Sequence, residues 1–236
     1  MEIKAVLFDL DGTLLPMEQD KFLEVYFDAL AKKLETLGYE PANLKENIWA
    51  GTVAMVKNRG TFSNEEAFWR FWTDTYGEAS LNDKPAIDSF YSNEFEAAKA
   101  VCGYNPEAKE IVQILKKQGK TVVLATNPFF PAVATRKRMQ WAGLAPEDFA
   151  LYTTYENSYH CKPNPQYYVD ILRELDLQPK ECLMVGNDVA EDMIAETLGM
   201  KVFLLTDCLI NKKEQDISTY PHGGFTELKS YLEFIK

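Results

Sequence analysis

Cysteine, histidine and basic charge are all scarce in this sequence. Its four cysteines, Cys102, Cys161, Cys182 and Cys208, are too few and too scattered for a disulfide scaffold. None forms a C-x-x-C pair, which argues against a zinc ribbon. Lys and Arg number 25 against 36 Asp and Glu, a net charge of −11 in 236 residues, with a pI near 4.8. An acidic balance of that size argues against nucleic acid and against an anionic membrane surface, both of which need a basic stripe. No apolar run approaches the roughly 18 residues that span a bilayer. The apolar stretch at the start is broken by Asp9 and carries no cleavage pattern. The expectation is a reduced, cytoplasmic protein, a monomer or weak homodimer, with a small-molecule partner.

What is present is a set of short apolar runs: Ile3–Leu10, Thr121–Thr126, Ala150–Tyr155, Cys182–Gly186 and Lys201–Leu205. Apart from the weaker third, they carry Val, Leu, Ile and Phe on consecutive positions, as strands buried on both faces must. Amphipathic helical patterns lie between them, over Glu107–Gln118, Asn164–Leu175 and Glu191–Leu198. Strands alternating with helices predict an α/β fold, a parallel sheet with right-handed crossovers. Residues 18–101 break the alternation. They hold four helical segments, Glu18–Leu37, Leu44–Lys57, Asn64–Tyr76 and Pro85–Ala100, punctuated by Gly and Pro. We read an all-helical insertion, residues 16–102, in a core made of residues 1–15 and 103–236. Its aromatics Phe62, Phe68, Trp69, Phe71, Trp72 and Tyr76 are expected mostly in its own core. The tail, Asp207–Gly224, is expected to close the sheet edge.

The unusual polar residues fall just after the apolar runs: Asp9 and Asp11 with Gly12 and Thr13, then Thr126 and Asn127, then Lys162, then Asn187, Asp188 and Asp192. In a parallel sheet the carboxyl ends share one edge, so these fragments converge on the crevice where open α/β sheets bind ligands. Two carboxylates about 4 Å apart repel by roughly 4 kcal/mol at an effective dielectric of 20. Gathering Asp9, Asp11, Asp188 and Asp192 therefore calls for protonation or for a cation. Oxygen-only donors select a hard ion, and Mg2+ is the choice that needs few protein oxygens. An EF-hand reading fails because Leu14 stands where that loop requires glycine. A metal beside a carboxylate, with the fixed positive charge of Lys162 and the Thr126 hydroxyl, suits a phosphoryl group. One carboxylate can attack phosphorus while a second acid two residues on protonates the leaving oxygen.

With these fragments in this order, the chain resembles the haloacid dehalogenase-like hydrolase superfamily. Asp9-Leu-Asp11-Gly12-Thr13 matches its first motif, Thr126 its second, Lys162 its third, and Gly186-Asn187-Asp188 through Asp192 its acidic fourth. The resemblance implies a Rossmann-like three-layer core with a helical cap between the first and second motifs. It implies Asp9 as nucleophile and metal ligand, and Asp11 as general acid/base that ligates Mg2+ through its carbonyl. Thr126, Asn127 and Lys162 would hold the phosphoryl oxygens. Asp188 would complete the metal ligands, with Asp192 and Asn187 supporting them. The cap would hinge at Leu14–Asp20 and Asn105–Pro106.

Within that resemblance, Asp11 argues against dehalogenation, since dehalogenases of the family lack the second acid. Sugar phosphomutases with this cap use a cap histidine, whereas His160 and His222 lie outside the insertion. Phosphonate hydrolases need a cap lysine, and Lys21, Lys32, Lys33, Lys45, Lys57, Lys84 and Lys99 are available. A metabolite-binding regulator would have no need of a nucleophile–acid pair. Phosphatase action on a small phosphorylated metabolite is the expected activity.

Overall fold

A computed structural model describes residues 2–235. Its centre is a six-stranded, all-parallel sheet of β1 (Ala5–Phe8), β2 (Thr121–Leu124), β3 (Leu151–Tyr152), β4 (Cys182–Gly186), β5 (Lys201–Leu205) and β6 (His222–Gly223), in the order β3-β2-β1-β4-β5-β6. Side chains alternate between two apolar layers. Val6, Phe8, Leu183 and Val185 pack on the side of Ile111, Leu115 and Leu228, while Ala5, Leu7, Cys182 and Met184 pack on that of Tyr168, Ile171 and Leu172. The helices supplying those layers are α5 (Pro106–Lys117) and α8 (Phe225–Phe234) on one face and α7 (Pro165–Glu174) on the other, with α6 (Ala132–Trp141) following β2. The fold is therefore a Rossmann-like three-layer α/β architecture. β1 is central, and the order reverses beside it, which opens a crevice at the carboxyl ends of β1 and β4.

Between β1 and α5 the chain adds no strand to this sheet. It forms α1 (Gln19–Thr36), α2 (Leu44–Val56), α3 (Asn64–Tyr76) and α4 (Lys84–Ser92), with 3-10 turns over Glu78–Asp83 and Glu94–Val101. A Ser63–Glu66 capping box starts α3. The segment enters and leaves side by side: Met17 bridges Cys102, and Gly103 N–H donates to Pro16 O at 2.7 Å. Its apolar residues merge with those of the sheet layers in one cluster. Phe95 stacks on Trp141 of α6 at 5.3 Å and meets Phe130 and Phe22. No helix among the described residues is long and apolar enough to cross a membrane.

Several sequence expectations change. The helix expected over Pro85–Ala100 breaks at Asn93, whose amide donates to Ser89 O and Oγ in place of continuing the helix. The helix expected over Glu191–Leu198 is only a 3-10 turn from Met193, because Asp188 Oδ1 takes the N–H groups of Ala190 and Glu191 and holds a loop there. The expected strand Ala150–Tyr155 shrinks to two residues. Of the six aromatics assigned to the insertion's core, Trp69 and Trp72 are buried, while Phe62 lies at the surface under Arg70.

Phe95 joins the inserted segment to α6, so Phe95→Ala should cost about 3–5 kcal/mol in urea unfolding. A loss below roughly 1 kcal/mol would show the two parts to be energetically separate.

Candidate active site

Each fragment leaves the sheet at the same edge. Asp9 follows β1 and is anchored by its N–H donating to Val185 O at 2.9 Å. Thr126 and Asn127 follow β2; the Thr126 carbonyl accepts from Thr153 Oγ1 at 2.7 Å and from the Tyr167 hydroxyl at 2.9 Å. Lys162 precedes α7, and Asn187, Asp188 and Asp192 follow β4. All of these, with Asp11, line one cavity of about 390 Å3.

The Lys162 ammonium is fully buried between two carboxylates, donating to Asp9 Oδ1 at 2.9 Å and Asp192 Oδ1 at 2.6 Å. Burial alone would depress its pKa, but Asp192 and Asp9 together hold it well above the ordinary lysine value. Asp192 also accepts from Asp188 N–H at 3.0 Å, tying the triad to the loop after β4. Gly186 makes this approach possible, since a Cβ there would stand 2.0 Å from Asp192 Oδ2. Gly12, at φ +85°, serves the first loop similarly: a Cβ would stand 2.3 Å from Asn187 Nδ2. Asn187 Oδ1 accepts from Thr13 Oγ1 at 2.9 Å, and its amide donates to Cys208 O at 2.7 Å. Asn187 thus pins the first loop to the chain after β5.

Burial pushes the Asp9 carboxyl up to about 7 against the pull of Lys162, and Asp192 and Asp11 push the same way. Burial likewise raises Asp11 and Asp188. Asp11 Oδ1 is buried with no hydrogen-bond partner. The acidic cluster is therefore short of positive charge, and its donors are all oxygen. That chemistry fits a hard divalent cation. No three Asp, Glu, His or Cys side chains among the described residues converge into a ready-made metal cage. An ion that keeps several waters needs none.

Sequence reasoning missed three contributors. Arg138, fully buried on α6, ion-pairs with Asp11 Oδ2, donates to Thr135 Oγ1 and lies over the Phe130 ring at 4.2 Å. Its surroundings in sequence, Thr135-Arg-Lys-Arg, carry no motif that marks it. Glu191 accepts from the Asn127 amide at 2.8 Å, a role hidden while that stretch was read as helix. The tail does pair at the sheet edge through β6, yet Ile210, Asn211, Lys212, Lys213 and Gln215 also line the cavity. By contrast, burial pushes the Cys161 thiol up, and it accepts only from the Asn64 amide. Cys161 is a packing residue.

With this geometry in view, comparison with known proteins defines the class. Residues 3–195 match the haloacid dehalogenase-like hydrolase family. The chain belongs to that family of hydrolases. It is 26% identical to a phosphoglycolate phosphatase of Vibrio vulnificus over 209 residues, 87% of this chain and 84% of that one. It is 27% identical to a ribulose-1,5-bisphosphate 5-phosphatase of Halopiger xanaduensis over 246 aligned residues, 96% and 99% of the two chains. The crystal structure of an HAD phosphatase from Thermococcus onnurineus superposes with TM-score 0.59 at 20% identity, covering 98% of each chain. A 2-haloacid dehalogenase from Pseudomonas syringae superposes with TM-score 0.62 at 21% identity, over 99% and 100%. These two structures establish the fold.

Two outcomes follow from the electrostatics. Lys162→Met leaves Asp9 and Asp192 buried without their cation and should cost about 3–5 kcal/mol at pH 7 in urea unfolding. Burial, reinforced by Asp188 and Asp192, raises Glu191 from its ordinary 4.5 to about 8. Between those values the folded metal-free protein keeps a proton that the unfolded chain has released, so stability falls as pH rises. Glu191→Gln should flatten that fall between pH 5 and 8 in EDTA; parallel curves for the two proteins would remove Glu191 from the balance.

Proposed function

We propose that this protein is a cytoplasmic, Mg2+-dependent phosphatase that hydrolyses a small phosphorylated metabolite through an aspartyl-phosphate on Asp9. One observation supports this reading above the rest: a buried ammonium shared by Asp9 and Asp192, with a second acid, Asp11, lining the same cavity. Phosphatase-named relatives point the same way. In this reading residues 1–15 and 103–236 form the catalytic core and residues 16–102 its cap.

Asp9, Asp11 through its backbone carbonyl, and Asp188 would hold Mg2+. When bound, that ion supplies the positive charge the acidic cluster lacks and neutralises phosphoryl oxygens. Asp9 attacks phosphorus, forming the acyl-phosphate bond as the ester P–O bond breaks. Asp11 donates its proton to the departing alkoxide, then takes one from the water that attacks the aspartyl-phosphate and releases inorganic phosphate. Lys162 and the Thr126 hydroxyl bind phosphoryl oxygens, assisted by the Asn127 backbone N–H, and Asp192 keeps Lys162 aimed. Arg138 fixes the Asp11 carboxyl through Oδ2, leaving Oδ1 to carry the proton that it donates.

The test is phosphate release from p-nitrophenyl phosphate and a metabolite panel, with Mg2+ and with EDTA. Asp9→Asn should abolish release with the fold intact by circular dichroism. Asp11→Asn should slow turnover by about 100-fold or more while metal affinity persists. Asp188→Ala should raise the Mg2+ concentration needed for half-maximal rate. Full activity in Asp9→Asn would remove the nucleophile from this scheme.

A further inference from the structure

We propose that the alcohol released by this protein is aromatic, making the substrate class a phosphate monoester of a planar, uncharged ring system. This inference rests on the phosphatase reading and concerns the opposite half of the same cavity. From Asp9 and Lys162 the cavity extends to a wall formed by Phe27 of α1, by Trp49, Val53 and Val56 of α2, and by Phe129 from the loop after β2. Trp49, Val53 and Val56 are spaced four and three apart and form one stripe along α2. This stripe is not buried against the fold: Trp49 is 51% exposed and Val56 41%. Such apolar exposure, contiguous and next to the chemistry, marks a surface kept open for a ligand. The Trp49 and Phe27 rings meet edge to face, centroids 6.4 Å apart at 73°, so the aromatic wall is already assembled.

Charge narrows the class further. Among the described residues, none of those from 16–102 that line the cavity is charged. A short acid such as glycolate, held by its phosphate at Asp9 and Lys162, would find no charged partner for its carboxylate among the lining residues of 16–102. It would also leave much of the 390 Å3 empty, whereas pockets of about 300–1,000 Å3 suit ring-sized ligands. The feature that argues for an anion is the exposed pair Lys212 and Lys213, which follows Ile210, the residue paired with the Asn187–Val189 loop. The test is designed to separate the two.

kcat/KM would be measured for 1-naphthyl phosphate, 2-phosphoglycolate and a sugar bisphosphate, and the binding of each to Asp9→Asn by calorimetry. We expect 1-naphthyl phosphate to be preferred, and Trp49→Ala to lose about tenfold in kcat/KM for it, through KM. Trp49→Phe should keep most of that preference, and inhibition by inorganic phosphate should stay unchanged in both. Preference for phosphoglycolate or the bisphosphate, abolished by Lys212→Ala with Lys213→Ala, would overturn the inference. So would a naphthyl preference that survives both Trp49→Ala and Val53→Ala. If no ester is hydrolysed, the phosphatase reading falls, and calorimetry alone decides this one. Tighter binding of naphthyl phosphate that Trp49→Ala weakens sustains the aromatic site; equal or weaker binding than phosphoglycolate overturns it.

Discussion

An ammonium group removed from water must be surrounded by charge of the opposite sign, and Lys162 meets that demand with Asp9 and Asp192. Much of the surrounding architecture answers to this triad. Asp192 can reach Lys162 only because Gly186 has no side chain, and its other oxygen is fixed by the Asp188 N–H. Asp188 in turn shapes its loop by taking the N–H groups of Ala190 and Glu191. Three chain segments, after β1, before α7 and after β4, are thus held in register by one cation. Asp9 is aimed by the same contact that supports the loop.

The four central strands, β1, β2, β4 and β5, were legible in the sequence because they are buried on both faces, which forces unbroken apolar runs. The convergence of Asp9, Thr126, Lys162 and Asp188 was legible because each follows or lies near such a run, and parallel strands share a carboxyl edge. Arg138 was not. An arginine buried in α6 is stabilised by Asp11, 127 positions earlier in the chain, and by the Phe130 ring, and no local pattern announces either. The stretch Glu191–Leu198 was misread for a different reason: its spacing is helical, but the Asp188 side chain competes for the backbone donors that would start the helix. Periodicity also could not say which aromatics face the cavity. Those of α3 pack among themselves and their neighbours, whereas Phe27 and Trp49 stand on the cavity wall.

The cavity joins two kinds of chemistry contributed by two parts of the chain. The sheet edge brings fixed charges suited to a phosphoryl group. The inserted helices bring apolar surface and no charge. Named relatives at 26–27% identity act on different phosphorylated compounds, as their names state. In this chain the charged end and the apolar end of the cavity come from different parts of the sequence, so the two can differ independently on one fold.

The neck where Met17 bridges Cys102, with Gly103 donating to Pro16, bears on more than the placing of the insertion. Because the two ends meet there, the loop of more than eighty residues is already closed at its base. Lengthening or shortening it adds only a slowly growing closure entropy to the rest of the molecule. As far as chain connectivity goes, β1 therefore meets the insertion much as it would a short hairpin, while packing such as Phe95 on Trp141 couples the two separately. By that closure, changes in the length of the inserted segment are kept from the strand that precedes Asp9.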